Sequence, residues 1–322
     1  MGGSGGGGGG TFVRRTPEQL RNMVRKSEDE TTVAAFEAEL SRTLGDLLGE
    51  FNSRDTPSVN DRLDRIKKAM QGTIEGTFDQ LFGGSVAKRT YVDGLSDIDS
   101  LILLNDSDLE KQSPQSALEQ MEGIRKGHLG GEAKIGHGRM AVTVTFPDGM
   151  VIQLLPAVKS RDGRLRVPSS RRDGWSEIDP AAFRDALTRR NEQCAGKLVP
   201  TIKLAKAVNG QMPEAQRLGG YHVEALAIAA FKGYQGEKTG PAMLPVFFER
   251  ARELVLSPIR DSTGQSVHVD EYLGQANNDT RVALSPVLGR IARRMRNATA
   301  AGSTVSGVLS LVSINELRRT TT

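Results

Sequence analysis

The sequence predicts an α+β fold, in which strands are set between N-terminal helices and a C-terminal region that is wholly helical. Three observations predict it. Residues 31–51 and 59–74 carry apolar side chains at helical spacing: Val33, Phe36, Leu40, Leu44, Leu47 and Leu48 in the first, Val59, Leu63, Ile66, Met70 and Ile74 in the second. Residues 98–104 and 141–155 instead hold short aliphatic runs, and Val142, Val144 and Phe146 alternate with Thr143 and Thr145. From Asp179-Pro180 onward the apolar spacing is helical nearly to the end.

Composition narrows the class. The chain has 322 residues, 37% of them hydrophobic and 25% charged, as in an ordinary globular protein. Its formal charge of +4 suits an anionic ligand such as a nucleotide and is too small for a protein that coats DNA. Cys194 is the single cysteine, which excludes an intrachain disulfide and a cysteine-based zinc cluster and points to the cytoplasm. No apolar run approaches a membrane span, and the N-terminus lacks a signal-peptide core. Residues 1–10 are almost pure glycine and read as a flexible leader. Thr16-Pro17-Glu18 then reads as a helix start.

The chemistry concentrates in residues 82–104, FGGSVAKRTYVDGLSDIDSLILL. After the turn-forming Asp93-Gly94, Ser96-Asp97-Ile98-Asp99 runs into an aliphatic strand. Side chains alternate along a strand, so Asp97 and Asp99 project to one face. Two carboxylates so placed repel unless a cation lies between them, and an oxygen-only pair suits Mg²⁺ or Mn²⁺. Gly83-Gly84-Ser85 lets the backbone approach a ligand, and a helix starting there would favour a phosphate. Either motif alone is ordinary, since most Asp-x-Asp pairs are solvated strand ends and most Gly-Gly-Ser runs are turns. Their order along the chain is what suggests nucleotidyl transfer.

Gly-Gly-Ser followed by Thr90-Tyr91-Val92-Asp93-Gly94-Leu95-Ser96-Asp97-Ile98-Asp99 resembles the signature of the polymerase-beta-like nucleotidyltransferases. More narrowly it resembles the cGAS/DncV-like nucleotidyltransferases (CD-NTases) of bacterial antiphage defence, over roughly residues 50–300. The resemblance implies a catalytic core with a mixed sheet flanked by helices, packed on a C-terminal all-α subdomain. It implies an enzyme that joins nucleoside triphosphates into a cyclic or short oligonucleotide signal with Mg²⁺ or Mn²⁺, and an effector protein that senses the product. Neither a membrane partner nor a stable large nucleic-acid complex is expected. The implied division is a leader at 1–10, N-terminal helices plus catalytic core at 11–178, a helical subdomain at 179–318 and a polar tail at 319–322.

Residue by residue, the resemblance assigns metal binding and catalysis to Asp97 and Asp99. It assigns nucleotide contacts to Gly84, Ser85, Thr90, Gln153, Lys203, Lys206 and Tyr221. Lys203 is favoured for the triphosphate, with Lys206 one turn away as its rival. In Gly220-Tyr221-His222-Val223-Glu224, glycine stands where the family has serine, so a backbone N–H would replace a hydroxyl. Tyr221 is as compatible with the core as with a base. His222 and Glu224, two apart on a helix, face different sides and make no metal pair.

The third carboxylate of the family is expected shortly before a proline on the returning strand. Val151-Ile152-Gln153-Leu154-Leu155-Pro156 places Gln153 there. Its amide is a weaker ligand for Mg²⁺ and no base. Three explanations stand open: a branch that works with two carboxylates, an Asp→Gln knock-out, or a pseudoenzyme that still binds nucleotide. Asp148 is a distant substitute, since it sits in the Phe146-Pro147-Asp148-Gly149 turn.

The remaining segments read as support. Ser113-Pro114 opens a helix to about Lys126, and the 141–155 hairpin should lie beside the Asp97/Asp99 strand. Residues 159–167 form a further hairpin whose Arg161, Arg164 and Arg166, with Arg171 and Arg172, are a solvated basic face or an acceptor-nucleotide contact. Trp175 is expected at a domain seam. Helices are expected at 179–193, 196–208, 241–256 and 280–301, the last with arginines on its outer face. Thr320-Thr321-Thr322 reads as a frayed polar end, and alternatively as a hydroxyl primer for protein-primed linear RNA- or DNA-like synthesis.

Overall fold

The structure, a computed structural model, describes residues 38–46, 48–49, 61–66, 68, 77–82, 98–105, 111–128, 133–159, 165–169, 173–259 and 270–300. Its strands are β1 (Thr77–Phe82), β2 (Ile98–Asn105), β3 (Lys134–His137), β4 (Val142–Thr145), β5 (Val151–Lys159), β6 (Leu165–Pro168) and β7 (Trp175–Ile178). Its helices are α1 (Pro114–His128), α2 (Pro180–Gln193), α3 (Leu198–Gly210), α4 (Gly220–Ala230), α5 (Gly240–Leu254) and α6 (Asp279–Ala300). Residues 38–46, 48–49, 61–66 and 68 are also helical.

The sheet runs β1-β2-β5-β4-β3, with β6 paired to the end of β5 and β7 to β6. It is mixed: β2 and β5 pair in parallel, and every other pair is antiparallel. A parallel pair needs a crossover, which α1 and the β3–β4 pair supply between β2 and β5. Gly149 turns the chain from β4 into β5 at φ +87°, a backbone region closed to most side chains. Its N–H donates to the Phe146 carbonyl at 3.0 Å.

Alternation gives the sheet two different faces. Val142, Val144, Ile152 and Leu154 are fully buried beneath Ala117, Leu118 and Met121 of α1. Of the other parity on β5, Val151, Gln153 and Leu155 are half-buried, whereas Ala157 is fully buried in a small cluster with Leu103 and Val167. Trp175 packs against the sheet core and its Nε1–H donates to the Gln112 carbonyl at 3.2 Å. It closes the α1 end of the sheet, which is a correction to the expected seam.

Helices α2–α6 share one apolar cluster around Phe183, Leu198, Leu226, Phe247 and Leu288. Asp179 caps α2 by accepting from the Ala182 N–H at 2.8 Å, with proline at the first helical position. Gly196, at φ +76°, donates its N–H to the Asn191 carbonyl at 2.8 Å and turns the chain into α3. The two N-terminal helical runs part company. Leu63 and Ile66 pack beneath the sheet, as expected, whereas Leu40 and Leu44 enter the helical cluster. Leu44 Cδ1 reaches to 3.5 Å of the Cβ position at Gly240. From their apolar stripes both N-terminal runs are expected to pack against the catalytic core, and the first meets the C-terminal helices instead.

A second correction concerns α6. Arg281 is not on the outer face but fully buried, and its neighbour Val282 is half exposed. Arg281 donates to the carbonyls of Val255, Asp270 and Gly274 at 2.9–3.1 Å and to Asp270 Oδ2 at 2.8 Å. It therefore holds the connection from α5 to α6 through backbone acceptors that no apolar residue could satisfy.

Candidate active site

Register places the first group of site residues. Asp99 on β2 pairs directly with Gln153 on β5, which pairs with Thr143 on β4 and through it with Gly136 on β3. Val142, Val144, Ile152 and Leu154 are buried under α1, so Thr143 and Gln153 of this row lie on the opposite face. The glutamine noted in the sequence thus stands beside Asp99 in the register. β1 ends at Phe82, which pairs with Ser100. The chain therefore leaves the sheet toward Gly83 one residue from the Asp99 row. Asp97, Gly84, Ser85 and Thr90 lie outside the described residues, as do Arg161, Arg164, Arg171, Arg172 and the Thr320–Thr322 tail.

Asp148, the distant substitute, is held elsewhere. Arg62 grips it through two hydrogen bonds of 3.1 and 2.8 Å. That bonding holds the Asp148 carboxyl below the usual range. Arg62 also lies over the Phe146 ring, 4.4 Å from its centroid.

The second group lies at the start of α4. Lys203 and Lys206, one turn apart on α3, are both buried. Lys206 Nζ forms a buried ion pair with Glu224 Oε1 at 2.8 Å. The same Nζ lies 3.7 Å from where a Cβ on Gly220 would be. The buried ammonium thus stands against the first turn of α4, whose N-cap Gly219 has no side chain to satisfy the free N–H groups. Tyr221 packs on Phe183 with ring centroids 4.3 Å apart and is half-buried.

His222 and Glu224 diverge as expected, Glu224 to Lys206 and His222 to Tyr272. The Tyr272 hydroxyl accepts from the Gly219 N–H at 2.9 Å and contacts His222 Nδ1 at 2.8 Å. The tautomer of His222 sets which of the two atoms donates in that contact. Among the described residues Nε2 has no hydrogen-bond partner, with Asp270 Oδ2 at 4.0 Å. Burial drives the His222 pKa down to about 4, against a smaller upward pull from Asp270.

This titration has a sign. Between pH 6.5 and about 4 the unfolded chain binds a proton that the folded chain refuses, so stability falls as the pH falls through that window. His222→Asn should melt with a shallower pH dependence than wild type over that window. Parallel thermal-melt profiles would contradict this.

Among the described residues no three His, Cys, Asp or Glu side chains cluster closely enough to hold an ion. The Asp99–Gln153 pair offers a carboxylate and an amide carbonyl, both hard oxygen donors compatible with Mg²⁺. A recess lined by Ser116, Glu119 and Gln120 opens on the outer side of α1, away from this face.

Against this geometry, residues 38–191 match the profile of the SMODS domain, the Second Messenger Oligonucleotide or Dinucleotide Synthetase domain. The match covers just under half of the chain. The SMODS match spans the described sheet and α2. Solved structures agree on the fold. CdnC of E. coli MS115-1, solved with ATP, superposes at TM-score 0.56 with 17% identity, over 87% of this chain and 95% of that one. The Vibrio cholerae cyclic AMP-GMP synthase DncV, with its linear intermediate, gives TM-score 0.55 and 14% identity over 94% and 93%. The STING-associated CdnE c-di-GMP synthase of Capnocytophaga granulosa gives 0.54 and 16% over 75% and 80%. No curated protein sequence matches. The fold is that of the cGAS/DncV-like nucleotidyltransferases, and the SMODS match supports a nucleotidyltransferase of the kind that makes signalling oligonucleotides. Among the described residues no helix is long and apolar enough to cross a membrane.

Sequence reasoning missed Glu224 as the partner of Lys206, and the Tyr272–His222 and Asp270–Arg281 contacts. Each joins residues far apart in the chain, and no local pattern announces them.

Proposed function

We propose that this chain is a template-independent nucleotidyltransferase that joins nucleoside triphosphates into a cyclic or short oligonucleotide signal for antiphage defence, releasing pyrophosphate. The observation that carries the reading is the Asp99–Gln153 register pair on the open face of the sheet, within the SMODS match. Asp97 and Asp99 would hold Mg²⁺ or Mn²⁺, with Gln153 as a neutral oxygen beside them. When bound, such an ion supplies charge neutralisation on the triphosphate and acidifies an attacking hydroxyl. Gly84 and Ser85 bind the phosphate tail, with Thr90 alongside. Lys206, with Lys203 one turn before it, supplies positive charge at the first turn of α4, where the N–H groups also favour an anion. Glu224 holds the Lys206 ammonium in place and neutralises part of its charge. The exposed side of Tyr221 remains for a base. The acceptor nucleotide's 3′- or 2′-hydroxyl attacks the α-phosphorus and pyrophosphate leaves. The nucleotide sits between the sheet and the helices, in the cytoplasm, and an effector protein responds to the product.

Incubation with all ribo- and deoxyribonucleoside triphosphates and Mg²⁺ or Mn²⁺, followed by mass spectrometry of small products and of protein, tests the reading. Short oligonucleotides plus pyrophosphate are expected. Nucleotides added to the protein would instead indicate protein-primed linear synthesis from the Thr320–Thr322 tail. Gln153 favours one second reading, a nucleotide-binding pseudoenzyme, which predicts binding with no pyrophosphate even with Mn²⁺.

Gln153→Asp supplies the missing base beside Asp99. Turnover should rise by about a hundredfold, the low end of what a positioned general base contributes. An unchanged or lower rate in the pyrophosphate-release assay would show that the glutamine does not limit catalysis.

A further inference from the structure

The loop leading into α4 is braced by a 3-10 turn at Glu214–Gln216 and ends in two glycines. Gly219 and Gly220 carry no side chain, and glycine has the largest conformational freedom to lose. Contacts on either side of the glycines hold them. Asn209 grips Leu218 from both sides, donating to its carbonyl and accepting from its N–H, each at 2.8 Å. Arg217 donates to the Met212 carbonyl at 2.6 Å. The next residue, Gly219, is held by the Tyr272 hydroxyl, from 53 positions away.

That hydroxyl bridges two points of one helical turn, the N-cap N–H of Gly219 and the His222 ring. The ring of Tyr272 stands edge-on to His222, with centroids 5.7 Å apart, and is 48% exposed. Its hydroxyl is the buried end: burial pushes the Tyr272 pKa up to about 12, and the oxygen makes both hydrogen bonds. The segment bearing Tyr272 is itself fixed two residues earlier. Asp270 pairs with Arg281 at 2.8 Å and accepts from the Ile259 N–H at 3.0 Å, all within the interior. A continuous set of contacts thus runs from α6 through Asp270 and Tyr272 to the first turn of α4, beside Lys206.

We propose that Tyr272 is a positioning residue for the nucleotide's triphosphate. Its hydroxyl fixes the Gly219–Gly220 backbone so that the N–H groups of α4 and the Lys206 ammonium present one preformed anion site. The inference rests on the reading above that the start of α4 faces the phosphates. Tyr272 touches no reacting atom and acts through Gly219 and His222.

The test is Tyr272→Phe in the full chain, which removes one oxygen from a half-exposed ring. Binding of α,β-methylene ATP and GTP with Mg²⁺ is measured by calorimetry, together with AMP and GMP. The triphosphate Kd should rise roughly three- to tenfold, the worth of one hydrogen bond, and monophosphate affinity should hold. In steady state KM should rise similarly, with kcat within about twofold of wild type. Tyr272→Ala should weaken triphosphate binding to the same extent, because the oxygen and not the ring is at work. Unchanged triphosphate affinity in Tyr272→Phe overturns the proposal. So does equal weakening of mono- and triphosphate, or a loss seen in Tyr272→Ala alone. A wild-type chain that binds neither analogue overturns the nucleotidyltransferase reading, and this inference with it.

Discussion

Replacing Asp97 and Asp99 together by Asn should lower nucleotide transfer by at least about a thousandfold, equivalent to about 4 kcal/mol of barrier. Each substitution keeps the side chain's volume and removes one negative charge. Asp99 already has a neutral neighbour in Gln153, directly across the β2–β5 pair. An enzyme with a third acid would retain some cation affinity after losing one, whereas this chain has no such reserve on β5. Asp99→Asn alone should therefore cost nearly as much as the double substitution. The measurement is pyrophosphate release with Mg²⁺ and with Mn²⁺, alongside a thermal melt. Relief of carboxylate repulsion should leave the melting temperature equal to or above that of wild type. Turnover within tenfold of wild type would remove these acids from the site.

Breaking the Asp270–Arg281 pair should have the largest effect on stability. Both side chains are almost wholly buried and bonded at 2.8 Å. Asp270→Ala leaves a guanidinium in the interior with backbone carbonyls but no counter-charge. The cost of such an uncompensated ion is roughly 3–5 kcal/mol. For a chain of this size that lowers Tm by on the order of 10 °C. Arg281→Met should be comparably harmful, because the carbonyls of Val255, Asp270 and Gly274 lose their donors. The double variant Asp270→Ala/Arg281→Met should be less damaging than the sum of the two, since neither charge is then stranded. Additive losses would show that the pair is not coupled. The triphosphate affinity of these variants should fall as well, because Asp270 anchors the segment that carries Tyr272.

What was legible in the sequence was local. Asp179-Pro180 announced α2 to the residue, since a capping carboxylate and a first-turn proline are signals within a few positions. The Val142–Phe146 alternation gave β4 and its buried face, and the proline-flanked strand singled out Gln153. That the 141–155 hairpin lies beside β2 was expected, but the parallel sense and register of β2 with β5 were not legible, because they are set by the whole intervening crossover. Arg281 shows the limit most clearly. Arginines near the end of α6 do lie outward, so spacing assigned all of them to solvent. Only the folded connection between α5 and α6 supplies the carbonyls that make a buried guanidinium stable. Leu40 and Leu44 carried a clear helical stripe, but a stripe does not name the surface it meets. In the site, the resemblance favoured Lys203 with Lys206 as its rival, and the folded chain sets Lys206 against the first turn of α4.

The most direct measurement is a crystal structure of the chain with a non-hydrolysable nucleoside triphosphate and Mg²⁺. The account predicts the ion between Asp97 and Asp99, its phosphate tail at Gly84–Ser85 and the α4 turn, and the Gln153 amide alongside. Bound nucleotide lying elsewhere, with both aspartates facing bare solvent, would contradict it.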